Sequence, residues 1–190
     1  MSSTSSIRMA TELDAEEILS IYAPYVLDTA ITFEYQIPSL EEFSQRMRDT
    51  LKSYPYLVAL EENRITGYAY ASAFHKRAAY QWSAETTVYL KQDCRGKGLG
   101  KQLYYELESI LKSQNIINVN ACIAYVQGED QHLNNASVAF HERMGYTKVA
   151  HFTKCGYKFG TWYDMIWMEK MLREHPDAPE PLLPITKIHY

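Results

Sequence analysis

The chain has 190 residues, a length that suits one domain with a real core, and 46% of them are apolar. Its formal net charge of -4 argues against a nucleic-acid-binding role, because phosphate recognition draws on a basic surface. No apolar run approaches the roughly 18 residues of a membrane span. The polar start, Met1 to Ser6, lacks the basic-then-apolar order of a signal peptide. Cys94, Cys122 and Cys155 are odd in number and lack CxxC spacing, so they read as free thiols of a reducing compartment. The expectation is a soluble cytoplasmic protein. Sixteen tyrosines is a high count, and an apolar ring with a polar tip suits cores, pockets and interfaces alike.

In chain order, Ile7 to Met9 reads as a short strand. Asp14-x-x-Glu17 reads as a capping box ahead of Ile18, Ile21, Tyr22 and Tyr25 at helical spacing. Pro24 is expected to kink or end that helix. Ser39-x-x-Glu42 is a second capping box, with Phe43, Met47 and Leu51 as the apolar stripe behind it. Tyr56–Leu60 and Ile65–Phe74 flank a polar turn and predict a hairpin, and Trp82–Leu90 is the next strand signal. After the glycine-rich Asp93–Gly100 turn, Leu103, Leu107, Ile110 and Leu111 mark an amphipathic helix. Val119–Ala124 is a buried-type strand. A short helix ends near Met144, with Gly145 at the C-cap position. Strands are expected around Tyr146–Phe152 and Asp164–Lys170. From His175 the tail holds four of the seven prolines and reads as extended. This order predicts an α+β fold around one mixed, mostly antiparallel sheet flanked by helices.

The segment Arg95-Gly96-Lys97-Gly98-Leu99-Gly100 follows a strand and opens a helix. Glycines admit a phosphate close to the backbone, the first helical amides point outward, and the dipole favours an anion there. Arg95 and Lys97 add positive charge, so the segment is a cradle for a pyrophosphate or else a glycine-rich helix start. It is neither the P-loop pattern nor the dinucleotide GxGxxG. The spacing Arg95-x-x-Gly98-x-Gly100 resembles the acetyl-CoA pyrophosphate loop of the GNAT acetyltransferase superfamily. Asn134-x-x-Ser137, followed by Phe140-His-Glu-Arg-Met-Gly-Tyr146, resembles that superfamily's second signature.

Within the superfamily, Arg77 to Leu90 (RAAYQWSAETTVYL) is similar to the central strands of phosphinothricin and methionine sulfone or sulfoximine N-acetyltransferases. Thr32-Phe33, Gly67-Tyr-Ala-Tyr70 and the tail Pro184-Ile-Thr-Lys-Ile188 extend the likeness. The resemblance implies a GNAT-type domain over residues 1–174, with a tail at 175–190 packed on the same domain or on a dimer partner. It implies acetyl-CoA as cosubstrate, a homodimer, and direct acetyl transfer to an amino-acid-like amine. Val88, Tyr89 and Leu90 would hold the thioester and the pantetheine arm. Arg95, Gly96, Lys97, Gly98, Leu99, Gly100 and Lys101 would take the pyrophosphate, and Asn134 and Ser137 the rest of the CoA arm.

Glu85 is the candidate general base or a solvated strand carboxylate. His141 is the candidate acid for the leaving thiolate, or a ring packed on a helix face. Arg77 and Tyr80 are candidate readers of an anionic group, with Arg77 otherwise a surface charge. Phe33 walls the acceptor site or belongs to the core, and Thr87 lines that site. Asn134 also reads as a helix cap. His75, His132, His151 and His175 form no ligand spacing, so no metal is expected. Val126 to Leu133 departs from the family by being longer than the corresponding loop, and it carries Glu129 and Asp130 over the substrate region. Other readings are a GNAT enzyme for a polyamine or a protein N-terminus, a non-catalytic CoA sensor, and an interaction protein with a vestigial site.

Overall fold

The computed structural model describes residues 6–188; Met1 to Ser5 of the polar start, and His189 and Tyr190 of the tail, lie outside the described residues. The chain folds as two compact units. One takes in the described residues up to Ile21, Pro38–Val119 and those from Met171 onward; the other takes in Tyr22–Ile37 and Asn120–Lys170.

In the first unit, strands β1 (Ser6–Met9), β2 (Tyr56–Glu61), β3 (Arg64–Ala73) and β4 (Ser83–Leu90) pair antiparallel in that order. The β2–β3 turn has positive φ at both Glu62 and Asn63, 50° and 63°, as a two-residue hairpin turn requires. The register sets Tyr56 opposite Tyr70 and Tyr68 opposite Tyr89. Their rings stack at centroid distances of 4.8 Å and 5.5 Å. Each such pair adds about 0.5–1.5 kcal/mol beyond its burial; the first ties β2 to β3, and the second ties the C-terminal end of β4 to β3.

Two helices belong wholly to this unit, α2 (Leu40–Leu51) and α3 (Leu99–Ser113). Ser39 Oγ accepts the Glu42 amide at 3.1 Å, as the capping box predicts, and Phe43 and Met47 are buried behind it. Helix α3 buries Leu103, Tyr104, Leu107, Ile110 and Leu111 and packs on β2, β3 and β4. The extended tail is bound to this unit. Trp82 Nε1 donates to Glu180 O at 2.8 Å, Gln114 Nε2 donates to Leu183 O at 2.8 Å, and Ile185 is buried.

The start of helix α1 (Ala15–Asp28) corrects the expected cap. The box is Thr11 with Asp14, one turn earlier than Asp14 with Glu17. The Thr11 amide donates to Asp14 Oδ2 at 2.7 Å, and Arg8 binds the same carboxylate. Glu17 instead accepts the Ile65 amide at 2.9 Å. Pro24 does not end the helix either, which continues to Asp28. An interior proline costs roughly 3 kcal/mol, but Ile18, Ile21, Tyr25 and Val26 are all buried. At about 1.5–3 kcal/mol for each buried apolar side chain, packing outweighs the lost hydrogen bond.

The second unit contains most of β5 (Asn118–Tyr125), helix α4 (Ala136–Arg143), and the hairpin of β6 (Thr147–Lys158) and β7 (Thr161–Met171). Gly145 follows α4 with φ 88°, the expected C-cap conformation. The hairpin is longer than the sequence pattern indicates. It runs through Thr153–Tyr163, which the pattern leaves outside both strands. The reason is a register shift between Phe152 and Gly156, where Lys154 takes φ 50° and breaks the alternation of apolar residues. Ala30, Ala124, Leu133 and Tyr163 form this unit's buried cluster, with Ile31, Phe33 and Val126 packed against it. Every strand pairing described is antiparallel, within an α+β fold as expected.

Candidate active site

Strand β4 ends at Leu90, and the Lys91 amide donates to Thr66 O at 2.8 Å, which sets the direction of the loop that follows. Gly96 and Gly98 hold φ of 77° and 81°, and a Cβ built on either meets nothing within 4 Å. The backbone of the loop is therefore open to approach at both glycines. Gly98 is the N-cap of α3 and has no side chain to spend on its amides. The first intrahelical bond runs from Gln102 N to Gly98 O at 3.2 Å, so the amides of Leu99, Gly100 and Lys101 have no intrahelical acceptor. Arg95, Lys97 and Lys101 are exposed around this helix start. The helix dipole and outward amides lie at an open backbone with three exposed cations nearby in the chain, and the residues fit a pyrophosphate.

In the same unit, Glu85 lies in β4 opposite Ser72, half-buried. Burial pushes its carboxyl pKa up, and the nearby charge of His75 pulls the other way. Thr87 pairs with Tyr70, Val88 with Ala69, Tyr89 with Tyr68 and Leu90 with Gly67, so all four are held by β3. Between β3 and β4, Arg77 caps a single 3-10 turn at Ala78–Tyr80. The Tyr80 ring packs on His75 at 5.0 Å and on Phe74 at 6.0 Å. Arg77 and Tyr80 are both exposed. The structure thus gathers Glu85, His75, Tyr80 and Arg77 at one end of the β3–β4 pair. His75 belongs to this group although its sequence context carries no motif.

The second unit holds Phe33, Asn134, Ser137 and His141. The N-cap of α4 is Asn135 rather than the expected Asn134, which lies one residue earlier and accepts the Ala136 amide on its Oδ1 at 3.1 Å. His141 is 3% exposed. Its Nδ1 lies 2.7 Å from Ser137 O and donates to that carbonyl, which leaves Nε2 without the proton. Burial lowers its pKa to about 4, with the Ser137 bond opposing. The ring is therefore neutral at neutral pH and has no imidazolium proton to deliver. Phe33 is half-buried, with its ring 6.3 Å from that of Tyr163.

Several residues of this unit escape the sequence motifs. Lys158, 3% exposed, donates from Nζ to Val26 O, Thr29 O and Thr32 O at 2.7–2.9 Å. His151 Nε2 lies 2.7 Å from Asp164 Oδ2, while Asp164 Oδ1 accepts the Lys154 amide. Asn135 bridges the base of the long loop through Val126 N and O. The available signal was the hairpin itself: a lysine two residues before Gly160, between Tyr157 and Phe159, sits on the inward side of a strand.

Among the described residues, no group of three or more His, Cys, Asp or Glu side chains could hold a metal ion, and no helix is long and apolar enough to cross a membrane.

A family model described as an acetyltransferase (GNAT) domain matches residues 7–167. A phosphinothricin N-acetyltransferase of Streptomyces viridochromogenes is 32% identical over 182 residues, covering 96% of this chain and 95% of that protein. An L-methionine sulfoximine/L-methionine sulfone acetyltransferase of Salmonella typhimurium is 30% identical over 91% of this chain and 99% of its own length. Among solved structures, a GNAT superfamily phosphinothricin acetyltransferase from Sinorhizobium meliloti, in complex with acetyl-CoA, superposes with a TM-score of 0.83. It is 31% identical and covers 96% of this chain and 98% of its own.

Proposed function

The chain belongs to the GNAT acetyltransferase family and is an N-acetyltransferase, and we propose that it moves the acetyl group of acetyl-CoA directly onto the amine of a phosphinothricin- or methionine sulfone-type amino acid. The observation that carries this reading is the open backbone cradle at Gly96–Lys101, in a chain alike along nearly its whole length to enzymes named for those acceptors. Arg95 to Lys101 would hold the pyrophosphate. Val88, Tyr89 and Leu90 would hold the pantetheine arm; Asn134 and Ser137 would each contact the CoA arm. Bound acetyl-CoA supplies the thioester as acyl donor.

The chain's own residues then do three things. Arg77 and Tyr80 orient the acceptor by its anionic group, since a guanidinium binds carboxylate or phosphinate through two parallel hydrogen bonds. Glu85 takes a proton from the acceptor ammonium so that a neutral nitrogen can attack the thioester carbonyl; the C–S bond breaks, and the second proton that this nitrogen sheds on becoming an amide goes to the departing CoA thiolate. Thr87 and Phe33 border the acceptor. His141 serves as a neutral ring that props α4. It does not act as an imidazolium acid.

The protein works as a cytoplasmic homodimer in this reading. Free Cys94, Cys122 and Cys155 suit a reducing compartment. Val149, Phe152, Tyr157 and Trp162 of the β6–β7 hairpin are 46–57% exposed, and a second copy would cover such apolar side chains. Sedimentation at micromolar concentration should find twice the chain mass, and a monomer would remove that part.

The deciding experiment measures CoA release from acetyl-CoA against L-phosphinothricin, methionine sulfone, methionine sulfoximine, free amino acids and a polyamine. Turnover on the first three is expected. Turnover only on a polyamine would overturn the acceptor assignment, and CoA binding without any turnover would favour a sensor.

A further inference from the structure

Segments 28–34 and 126–133 come from distant parts of the chain and meet on one cluster. Val126 and Leu133, the two ends of the long loop, pack with Tyr163, Ala30, Ile31 and Phe33. Polar links join the segments directly. The Ala30 amide donates to His132 O at 3.0 Å, and His132 Nδ1 lies 3.1 Å from Asp28 O. Asp130 Oδ1 accepts the amides of His132 and Leu133 at 2.8 Å and 2.9 Å, and the Tyr163 hydroxyl at 3.1 Å. One carboxylate oxygen therefore shapes the loop and ties it to β7. The His132 ring also stacks on Phe159 at 3.9 Å.

Lys158 closes the arrangement from the other side. Its ammonium donates to three carbonyls, of which Val26 lies in the last turn of α1, and Thr29 and Thr32 in the segment that carries Phe33. All three ammonium protons have acceptors, so moving this segment away would strand a buried charge. Opening the loop would expose Leu133 and Tyr163, which are 4% and 1% exposed. These links describe a docked loop that acts as a fixed surface. They do not describe a lid that opens for substrate.

We propose that loop 126–133 and the Phe33 segment form a single fixed wall, in which Asp130 and Lys158 are positioning residues that set acceptor specificity through Phe33. The inference rests on the reading that Phe33 borders the acceptor amine. It assigns to the long loop a selective role toward the acceptor and none toward acetyl-CoA.

The test compares Asp130→Asn, Tyr163→Phe, Lys158→Met and Lys158→Arg with wild type for acceptor KM, kcat and acetyl-CoA affinity. Asp130→Asn and Tyr163→Phe should raise acceptor KM roughly tenfold, since misplacing a positioning group by about 1 Å costs that much or more. Acetyl-CoA affinity should stay within about twofold. Lys158→Met should act in the same direction and more strongly, with partial rescue in Lys158→Arg. If Lys158→Met does not fold, the two milder variants decide. Unchanged acceptor KM in an active protein would overturn the proposal, as would an equal loss of affinity for both substrates. Amide hydrogen exchange gives a readout independent of turnover. The Ala30 and Leu133 amides should open together in wild type and lose protection together in Asp130→Asn. Independent opening would overturn the single wall even if the wild-type enzyme acetylates none of the proposed acceptors, a result that would instead sink the functional reading.

Discussion

Phe33 occupies the space where any side chain at position 156 would begin: a Cβ built on Gly156 would stand 2.2 Å from Phe33 Cε2. Gly156 is buried in β6, opposite Tyr163, so neither strand offers the ring an easy retreat. Gly156→Ala should therefore cost about 1–3 kcal/mol, the usual penalty for overpacking. For a chain of this size that is a fall in Tm of roughly 2–12 °C. Acceptor KM should rise with it. A calorimetric Tm equal to wild type would mean that Phe33 has room to move.

Glu85 is the proposed base, and its burial raises its pKa. A base must be deprotonated, so the acid limb of kcat/KM should lie above the ordinary carboxylate range, with the rate rising as pH increases through it. The linked stability has the opposite slope. The folded state keeps this proton to higher pH than the unfolded chain, so the contribution is present at low pH and is lost as pH rises through the folded value. Glu85→Gln should lower kcat by about 10²–10⁴-fold and remove that limb, while CoA binding is kept. Full turnover in the variant would rule Glu85 out as the base.

Burial lowers the His141 pKa from its ordinary 6.5 to about 4. Between those values the unfolded chain binds a proton that the folded protein refuses, so stability should fall as pH drops through this window. The full effect is about 3 kcal/mol. Urea unfolding at pH 7 and pH 5 should show a smaller pH dependence in His141→Gln than in wild type. Equal slopes in both proteins would mean that His141 does not titrate in this window.

Gly98 holds φ at 81°, which side chains disfavour even where space is open. Gly98→Trp should fill the cradle over the α3 amides and weaken CoA binding by roughly 100-fold, about 2.7 kcal/mol. CoA-induced thermal stabilisation should shrink accordingly. Undiminished stabilisation would move the pyrophosphate away from this loop.

Arg77 is exposed and caps its turn through backbone alone. Arg77→Ala should leave Tm unchanged and raise the KM of an anionic acceptor roughly 10- to 100-fold, the range of a charged hydrogen bond. A loss confined to kcat would mean that Arg77 does not clamp the ground state.

Much of this protein is readable residue by residue. The Ser39 cap, the stripe of α3, the polar turn of the β2–β3 hairpin, the C-cap at Gly145 and the glycine-rich helix start at Gly96–Gly100 are all local. Each depends on spacing within one turn or one strand, and apolar periodicity and glycine placement report that spacing directly. The first cap lies one turn before the expected one because Thr11-x-x-Asp14 and Asp14-x-x-Glu17 overlap, and only the bonds of Arg8 to Asp14 and of the Ile65 amide to Glu17 separate them.

What the sequence determined by itself was the element order and the glycine-rich start of α3, together with the family likeness. Tertiary structure alone decided the states of the side chains. Burial makes His141 neutral, moves the Glu85 pKa and brings His75 beside it. It also makes Lys158, which lies outside both strands of the sequence pattern, the clamp on three carbonyls. The physical reason is that solvation and partner geometry depend on residues far apart in the chain. Thr29 and Lys158 meet only after the hairpin and the end of α1 have packed, and no local pattern records that meeting.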